Sequence, residues 1–210
     1  MKNLEIYIHI PFCVRKCEYC DFLSFPADDD AKLRYVKGLM AEMIFYGPLM
    51  KNYQVSSVYI GGGTPSSIDE QWIAALMEGV FDCFNVLPDA EISIECNPGT
   101  LSREKLLAYR DAGINRLSIG LQSANNDELK LLGRIHTFEQ FVTNYEVARN
   151  VGFKNINVDL MYGLPGQSAS QYMATVNKII RLHPDHISAY SLIVEKHTRI
   201  LKGENISGQL

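Results

Sequence analysis

Three cysteines lie within one stretch of eight residues near the start of the chain, as Cys13, Cys17 and Cys20 in the segment IPFCVRKCEYCDF. Thiolates are preferred ligands of zinc and of iron–sulfur clusters. Three thiolates on one short loop can hold three corners of a [4Fe–4S] cube and leave the fourth iron open to a ligand from outside the protein. The alternative is a zinc ion with His9 or a distant cysteine as its fourth ligand, although zinc sites usually space their ligands as two pairs.

The other two cysteines fall in apolar patterns, which predict buried core thiols. Cys83 borders the apolar stripe of a predicted helix, and Cys96 shares the apolar face of a predicted strand with Ile92 and Ile94. Five cysteines is an odd number, and three of them are clustered. This pattern favours a metal site in a reducing cytosol over a disulfide framework, so we expect a cytoplasmic protein.

The composition bounds the class of protein. A chain of 210 residues that is 47% hydrophobic can bury the core of one large domain. The net charge is −4 and the 20 Lys and Arg residues are scattered, which argues against a nucleic-acid partner. There is no run of about 18 apolar residues, so no membrane span is expected, and the first predicted strand begins too early to leave room for a signal peptide.

Short apolar runs alternate with longer helical patterns along the chain. The predicted strands are Ile6–Ile10, Val58–Ile60, Glu91–Glu95, Arg116–Leu121, Asn155–Leu160 and His186–Ile193. The predicted helices are Ala31–Tyr46, Asp69–Phe84, Ser102–Asp111, Asn125–Leu132, Thr137–Asn150 and Ser168–Leu182. This alternation is typical of βαβ units and predicts an α/β fold with a parallel sheet.

Successive side chains of a strand point to opposite faces, and the two predicted faces differ in polarity. The first five strands are apolar on one face; the other carries Tyr7, His9, Tyr59, Gly61, Ser93, Glu95, Ser118, Gly120, Gln122, Asn157 and Asp159. A flat doubly wound sheet is apolar on both faces, and a closed barrel fills its interior with apolar side chains. Six units with a polar inner face therefore predict a partial (βα)6 barrel around a polar ligand. The alternative, an antiparallel sheet with one solvated face, fits poorly with the intervening helices.

The spacing C-x3-C-x-Tyr-C directly after the first strand resembles the signature of the radical S-adenosylmethionine (SAM) family. The resemblance implies that the three cysteines hold a [4Fe–4S] cluster and that SAM chelates the fourth iron. It also implies a partial (βα)6 barrel with parallel strands and outer helices, which agrees with the six units counted above.

Longer segments resemble one branch of that family, which contains oxygen-independent coproporphyrinogen III oxidases and HemW-type haem chaperones. The matching segments are IYIHIPFC from Ile6, GGGTPS from Gly61, SIECNPG from Ser93, RLSIGLQ from Arg116, LLGR from Leu131 and DLMYGLPG from Asp159. The resemblance implies that Cys13, Cys17 and Cys20 bind the cluster. It implies SAM contacts at Tyr7, Tyr19, Gly62, Gly63, Thr64, Glu95, Gln122, Arg134, Asp159 and, as a weaker match, Ser191.

Two departures favour the chaperone over the oxidase. The oxidase branch has a further cysteine two residues after the third, where this chain has Phe22, and it carries an N-terminal extension. The first interpretation is therefore a protein that binds haem and passes it to an acceptor protein. The alternative is an enzyme that uses SAM to oxidise coproporphyrinogen III, a porphyrinogen. Whether the chain is an enzyme stays open on these grounds.

A third departure concerns the end of the chain. Members of this branch continue into a further domain, whereas here we predict a barrel over residues 1–198 followed by a polar tail over 199–210. This leaves a third interpretation, an inactive truncated fragment.

Overall fold

The structure is a computed structural model, and it describes residues 2–196 and 198–201. Its six strands are β1 (Lys2–Ile10), β2 (Tyr53–Gly62), β3 (Val86–Cys96), β4 (Arg116–Gln122), β5 (Asn155–Tyr162) and β6 (His186–Ser191). They form one sheet in the order β1-β2-β3-β4-β5-β6, and every neighbouring pair is parallel. The sheet curls into a half-barrel with β1 and β6 at its two edges, so the predicted fold class is confirmed.

The helices between the strands are α1 (Asp29–Tyr46), α2 (Glu70–Cys83), α3 (Arg103–Asp111), α4 (Asn126–Leu131), α5 (Phe138–Asn150) and α6 (Ala169–Ile180). Each begins after a residue whose side chain accepts a backbone N–H of the first turn: Asp28, Asp69, Ser102, Asn125, Thr137 and Ser168. Capping of this kind satisfies N–H groups that have no partner inside the helix. Five predicted helix starts, at Asp69, Ser102, Asn125, Thr137 and Ser168, fall on the cap rather than on the first helical residue.

The first three strands are longer than the sequence pattern predicts. The β1–β2 register shifts between Leu4 and Glu5, and the β2–β3 register shifts between Val55 and Ser57. A bulge places an extra residue in one strand and breaks the alternation of faces. The regular pattern therefore identifies only the part of each strand beyond the bulge.

The outer face of the sheet carries the core, as predicted. Apolar side chains of all six strands pack against the helices; the fully buried ones include Ile10, Ile60, Ile94, Leu117, Ile119, Ile156 and Val158. Cys96 is 5% exposed within this core, as predicted. Cys83 is only partly buried and packs against the edge of the core instead of inside it.

The segment that follows β6 returns to the barrel. Ile200 is buried against Leu132, Met161 and Leu164, and its N–H donates to the carbonyl oxygen of Glu18 at 2.8 Å. Most of the predicted tail, residues 202–210, lies outside the described residues, as does His197. No helix in the described ranges is long and apolar enough to cross a membrane.

Candidate metal and ligand site

The three clustered cysteines lie on the connection between β1 and α1, which we call the cysteine loop (residues 11–25). The loop is closed by backbone hydrogen bonds: Cys13 N–H donates to the Phe25 carbonyl at 3.1 Å, and Cys20 N–H donates to the Cys17 carbonyl at 3.2 Å. All three thiols are free and partly buried. The loop therefore presents three thiols at the carboxyl end of the first strand, the end at which barrel sites form.

The cysteine loop is anchored to the turn between α4 and α5. Glu18 N–H donates to the Leu132 carbonyl at 3.1 Å, and Arg15 Nη2 donates to the Gly133 carbonyl at 2.7 Å. Gly133 has φ +71°, and a Cβ at this position would lie 2.9 Å from Cγ of Glu18. Glycine is needed there because the backbone conformation and the close approach both exclude a side chain.

Two of the sulfurs have polar partners within the protein. The Sγ of Cys13 lies 3.4 Å from Thr64 Oγ1, and the Sγ of Cys17 accepts a hydrogen bond from Arg134 Nη1 at 3.4 Å. Both Thr64 and Arg134 are predicted site residues, so the structure brings them to the cysteines.

The thiols are not arranged around one ion. Among the described residues, no three His, Cys, Asp or Glu side chains converge as a single metal-ion site. Both ring nitrogens of His9 are already bonded, Nδ1 to Tyr7 Oη at 3.0 Å and Nε2 to the Leu23 carbonyl at 3.2 Å. In a [4Fe–4S] cube each thiolate binds a different iron, so its ligands need not meet at one point. The arrangement fits the cluster and gives no support to zinc with His9 as a ligand.

The glycine segment after β2 packs against the cysteine loop. The family resemblance implies SAM contacts at Gly63 and Thr64, but their backbone N–H groups donate to the carbonyls of Ile10 and Phe12, each at 2.8 Å. A Cβ on Gly63 would lie 3.0 Å from Cys13 Sγ and 2.7 Å from the Phe12 carbonyl oxygen. These two amides are therefore already bonded within the protein, and the glycine is needed for close packing beside the first cysteine.

Glu95 lies on the inner face of β3 beneath the cysteine loop. Its Oε1 accepts from Tyr59 Oη at 2.8 Å, and its Oε2 accepts from Gly62 N–H at 3.0 Å. Burial raises the pKa of Glu95 in spite of these two hydrogen bonds. A cationic or hydroxyl donor on a ligand would therefore stabilise the ionised form.

Asp159 lies on the inner face of β5 within a hydrogen-bonded set of polar side chains. It accepts from Asn157 Nδ2 at 2.8 Å and from Ser118 Oγ at 3.4 Å. Asn157 is fixed in turn by His186 Nδ1, which donates to its Oδ1 at 2.6 Å. Burial raises the pKa of Asp159 as well, so the half-barrel holds two carboxyl groups that a polar ligand can reach.

Gln122 occupies strained backbone at the end of β4. Its φ is +76°, which is uncommon for a residue other than glycine, and the β4–β5 register shifts between Gly120 and Gln122. Tyr190 Oη donates to Gln122 Oε1 at 3.0 Å. Strained residues of this kind cluster at functional sites, which agrees with the prediction for Gln122.

The remaining predicted positions fall in different surroundings. Tyr7 is 59% exposed, and its ring stacks on Tyr59 with centroids 6.1 Å apart. Tyr19 packs against the small apolar cluster around Ile200, and burial raises the pKa of its hydroxyl. Ser191 is exposed at the end of β6, and its side chain forms no hydrogen bond to the site within the described residues; the neighbouring Tyr190 reaches inward instead.

The sequence pattern places Tyr59, Ser118 and Asn157 on the inner face but does not assign them to the site. Tyr59, Ser118 and Asn157 bond the two carboxyl groups, while Tyr190 bonds Gln122. The signal for the first three is present in the sequence, because they share the inward parity of the predicted site residues. The polar face predicted from the sequence covers the first five strands, so it does not include Tyr190 on the sixth.

His136 lies near Arg134, on the segment between α4 and α5. Its Nδ1 donates to Asn97 Oδ1 at 3.2 Å, and its Nε2 is buried with no partner among the described residues. Burial, and then the charge of Arg134, lower the pKa of His136 to about 3. The imidazole is therefore neutral near pH 7.

Comparison with known proteins gives a consistent result. The family model of the radical SAM superfamily matches residues 7–179. The chain is 39% identical over 201 residues to the haem chaperone HemW of Escherichia coli (strain K12), covering 93% of this chain and 52% of that protein. It is 40% identical over 193 residues to HemW of Bacillus subtilis (strain 168), covering 91% and 51% respectively. The chain thus spans about half the length of these curated relatives.

Solved structures agree with this result. Coproporphyrinogen III oxidase (HemN) from Escherichia coli, a radical SAM enzyme, superposes with a TM-score of 0.85 at 33% identity, covering 91% of this chain and 44% of that one. Methylornithine synthase (PylB) superposes with a TM-score of 0.66 at 14% identity, covering 99% and 58%, which shows a shared fold alone.

Proposed function

The chain belongs to the radical SAM superfamily, a family that implies a [4Fe–4S] cluster and SAM, and we propose that Cys13, Cys17 and Cys20 hold this cluster. The spacing of the three cysteines on one closed loop supports the proposal. The open fourth iron would bind SAM. A cluster of this type supplies an electron for reductive cleavage of SAM.

The residues of the inner face suit the polar groups of SAM. Glu95 and Asp159 offer buried carboxylates to an ammonium group or to ribose hydroxyls. Arg134 has a buried Nε–H with no partner in the part of the chain that the structure describes, and it is available to the carboxylate of SAM. Gln122, held by Tyr190, offers an amide to the same space. These residues would bind and orient SAM against the open iron.

We further propose that the protein is a HemW-type haem chaperone, which binds haem and transfers it to an acceptor protein. The similarity to HemW proteins, at 39% and 40% identity for the two compared above, is the observation that carries this proposal. The rim of the cysteine loop supports it, because Val14, Phe22, Leu23 and Phe25 are between 48% and 75% exposed. Contiguous exposed apolar side chains often mark binding surfaces, and a porphyrin has a large apolar face.

The second candidate is oxidation of coproporphyrinogen III, favoured by the similarity to HemN. Phe22 weighs against it, because the oxidase branch has a cysteine at this position. Two assays on the anaerobically reconstituted protein separate the candidates: titration with haem, and turnover of coproporphyrinogen III with SAM and a reductant. The chaperone proposal expects haem binding without turnover. Multiple turnovers would establish the oxidase. The absence of both haem binding and turnover would favour an inactive fragment.

The cluster itself has a separate test. Reconstituted protein should contain about four irons per chain, and Cys13→Ala, Cys17→Ala and Cys20→Ala should each lose the cluster. Cys83→Ala and Cys96→Ala are the matched controls and should keep it, since both side chains pack in the core. Stoichiometric zinc that iron does not replace would refute the cluster.

A further inference from the structure

Arg134 contacts one of the three cysteines directly. Its Nη1 donates to Cys17 Sγ at 3.4 Å, whereas Cys13 Sγ lies 3.4 Å from the neutral hydroxyl of Thr64. The charge of Lys16 also acts on Cys20, but among the described residues no cationic side chain donates a hydrogen bond to the sulfur of Cys13 or Cys20. The three thiols are therefore chemically unequal before any cluster binds.

The guanidinium is held in place independently of the sulfur. Its Nη2 donates to the Gly120 carbonyl at 2.6 Å. A Cβ on Gly120 would lie 3.3 Å from this nitrogen, so glycine permits the approach. The hydrogen bond to β4 fixes the direction in which Nη1 points.

The arginine also lacks an anionic partner of the usual kind. Nε is fully buried without a hydrogen bond, and no carboxylate forms an ion pair with Arg134 in the part of the chain that the structure describes. A buried charge is costly unless a counter-charge accompanies it. The only anion-forming group bonded to this guanidinium there is the thiol of Cys17, which becomes a thiolate when it binds iron.

We propose that Arg134 is a positioning residue that donates an N–H···S hydrogen bond to the cluster thiolate of Cys17 and raises the reduction potential of the cluster. This rests on the cluster proposed above. Reduction adds one negative charge to the cluster, and a nearby cation with a hydrogen bond to sulfur stabilises the reduced form more than the oxidised form. The Nε–H is left for the ligand, so one side chain faces both the cluster and the SAM site.

The test compares Arg134→Gln, Arg134→Lys and Lys130→Gln in the full chain without SAM. Lys130 is the matched control, because its replacement removes the same charge four residues away, at a side chain that is 77% exposed and pairs with Asp127 instead of with the cysteine loop. Iron is counted in every variant, and the midpoint potential is measured by an anaerobic redox titration that follows the electron paramagnetic resonance of the reduced cluster.

We expect Arg134→Gln to keep about four irons and to lower the potential by roughly 59 mV, which corresponds to a tenfold change for a one-electron couple. Arg134→Lys should recover part of this shift, and Lys130→Gln should leave the potential unchanged. A fully loaded Arg134→Gln with the wild-type potential would overturn the proposal. An equal shift in Lys130→Gln would also overturn it, because the effect would then be one of net charge.

A measurement on the unmutated side chain covers the case in which Arg134→Gln does not hold the cluster. In protein labelled with 15N-arginine, hyperfine spectroscopy of the reduced cluster should detect a coupled arginine nitrogen, and cluster-loaded Arg15→Gln should retain the coupling, which excludes Arg15 as its source. A loaded cluster with no arginine coupling would overturn the inference while leaving the proposed function intact. A wild-type protein that binds no [4Fe–4S] cluster would instead overturn the proposed function and, with it, this inference.

Discussion

Glu95→Gln removes one charge from the proposed SAM site without changing the shape of the side chain. The two partners of Glu95 can both be kept, since the amide oxygen can accept from Gly62 N–H while the amide nitrogen donates to Tyr59 Oη. The cysteine loop is not touched, so the iron content should not change. The variant therefore isolates the contribution of the carboxylate to ligand binding.

The expected loss follows from the burial of Glu95. A hydrogen bond to a charged group contributes about 1.5–3 kcal/mol, and each 1.4 kcal/mol corresponds to a tenfold change in affinity. Glu95→Gln should therefore bind SAM roughly 10- to 150-fold more weakly than the wild type. Burial raises the pKa of Glu95, so part of the group is protonated at pH values where an exposed glutamate is ionised. Wild-type affinity should therefore rise with pH through this raised pKa, and Glu95→Gln should remove that component.

The assay is anaerobic equilibrium dialysis of cluster-loaded protein against labelled SAM at several pH values. Glu91→Gln is the matched control, because it makes the same change on the same face of β3, at an exposed side chain whose ion pair with Arg116 is long at 3.9 Å. Equal affinity of wild type and Glu95→Gln above the raised pKa would refute the role of Glu95. An equal loss in Glu91→Gln would show that general electrostatics governs binding.

Three further predictions concern the fold around the site. Gly62→Ala should lower the free energy of unfolding, measured by urea denaturation, by about 1–3 kcal/mol. The reason is that φ of Gly62 is +118° and a Cβ would lie 2.5 Å from Cε1 of His9. Gly38→Ala is the control and should be neutral or stabilising, because Gly38 lies in open space on α1. The pKa of His136 is lowered to about 3 in the folded chain, whereas its ordinary value is 6.5. Below pH 6.5 the unfolded chain therefore binds this proton more readily than the folded chain does. Stability from this group should fall by about 2 kcal/mol between pH 6.5 and 4.5, and His136→Gln should flatten that part of the profile. Identical slopes in both proteins would contradict the shift. The exposed edge strand β6, with Ile193 and Val194 beside it, should make the chain self-associate in light scattering after size-exclusion chromatography; a clean monomer would show that this edge is adequately covered.

The sequence predicts the fold well because the pattern of the strands is regular where they pack on helices. Ile6, Ile8 and Ile10 alternate with Tyr7 and His9, and the same alternation recurs in the next four strands. Alternation fixes which face is inner, so it also predicts that Glu95 and Asp159 share one space. The irregularities in β2, β3 and β4 follow no such rule, so the alternation does not predict where these strands begin and end.

The less predictable part of the site depends on contacts between distant segments. The hydrogen bonds of Gly63 and Thr64 to β1 and to the cysteine loop cannot be read from a glycine-rich motif, which is equally compatible with amides that face a ligand. The contact between Arg134 and Cys17 joins residues 117 positions apart. Resemblance to a family identifies such residues as site members, but the partner of each side chain follows only from the packed structure.

The cysteine loop is made early in synthesis, but two of its anchors are made late. The Gly133 carbonyl, which accepts a hydrogen bond from Arg15, lies 118 residues downstream of that arginine. Ile200, whose N–H donates to the Glu18 carbonyl, belongs to the last described segment. A ribosome that adds about 5–20 residues per second therefore exposes three thiols for many seconds before their loop can be completed. Insertion of a cluster into the finished loop then has to follow synthesis of the whole half-barrel. The nascent thiols are open to oxidation or to adventitious metal until that moment.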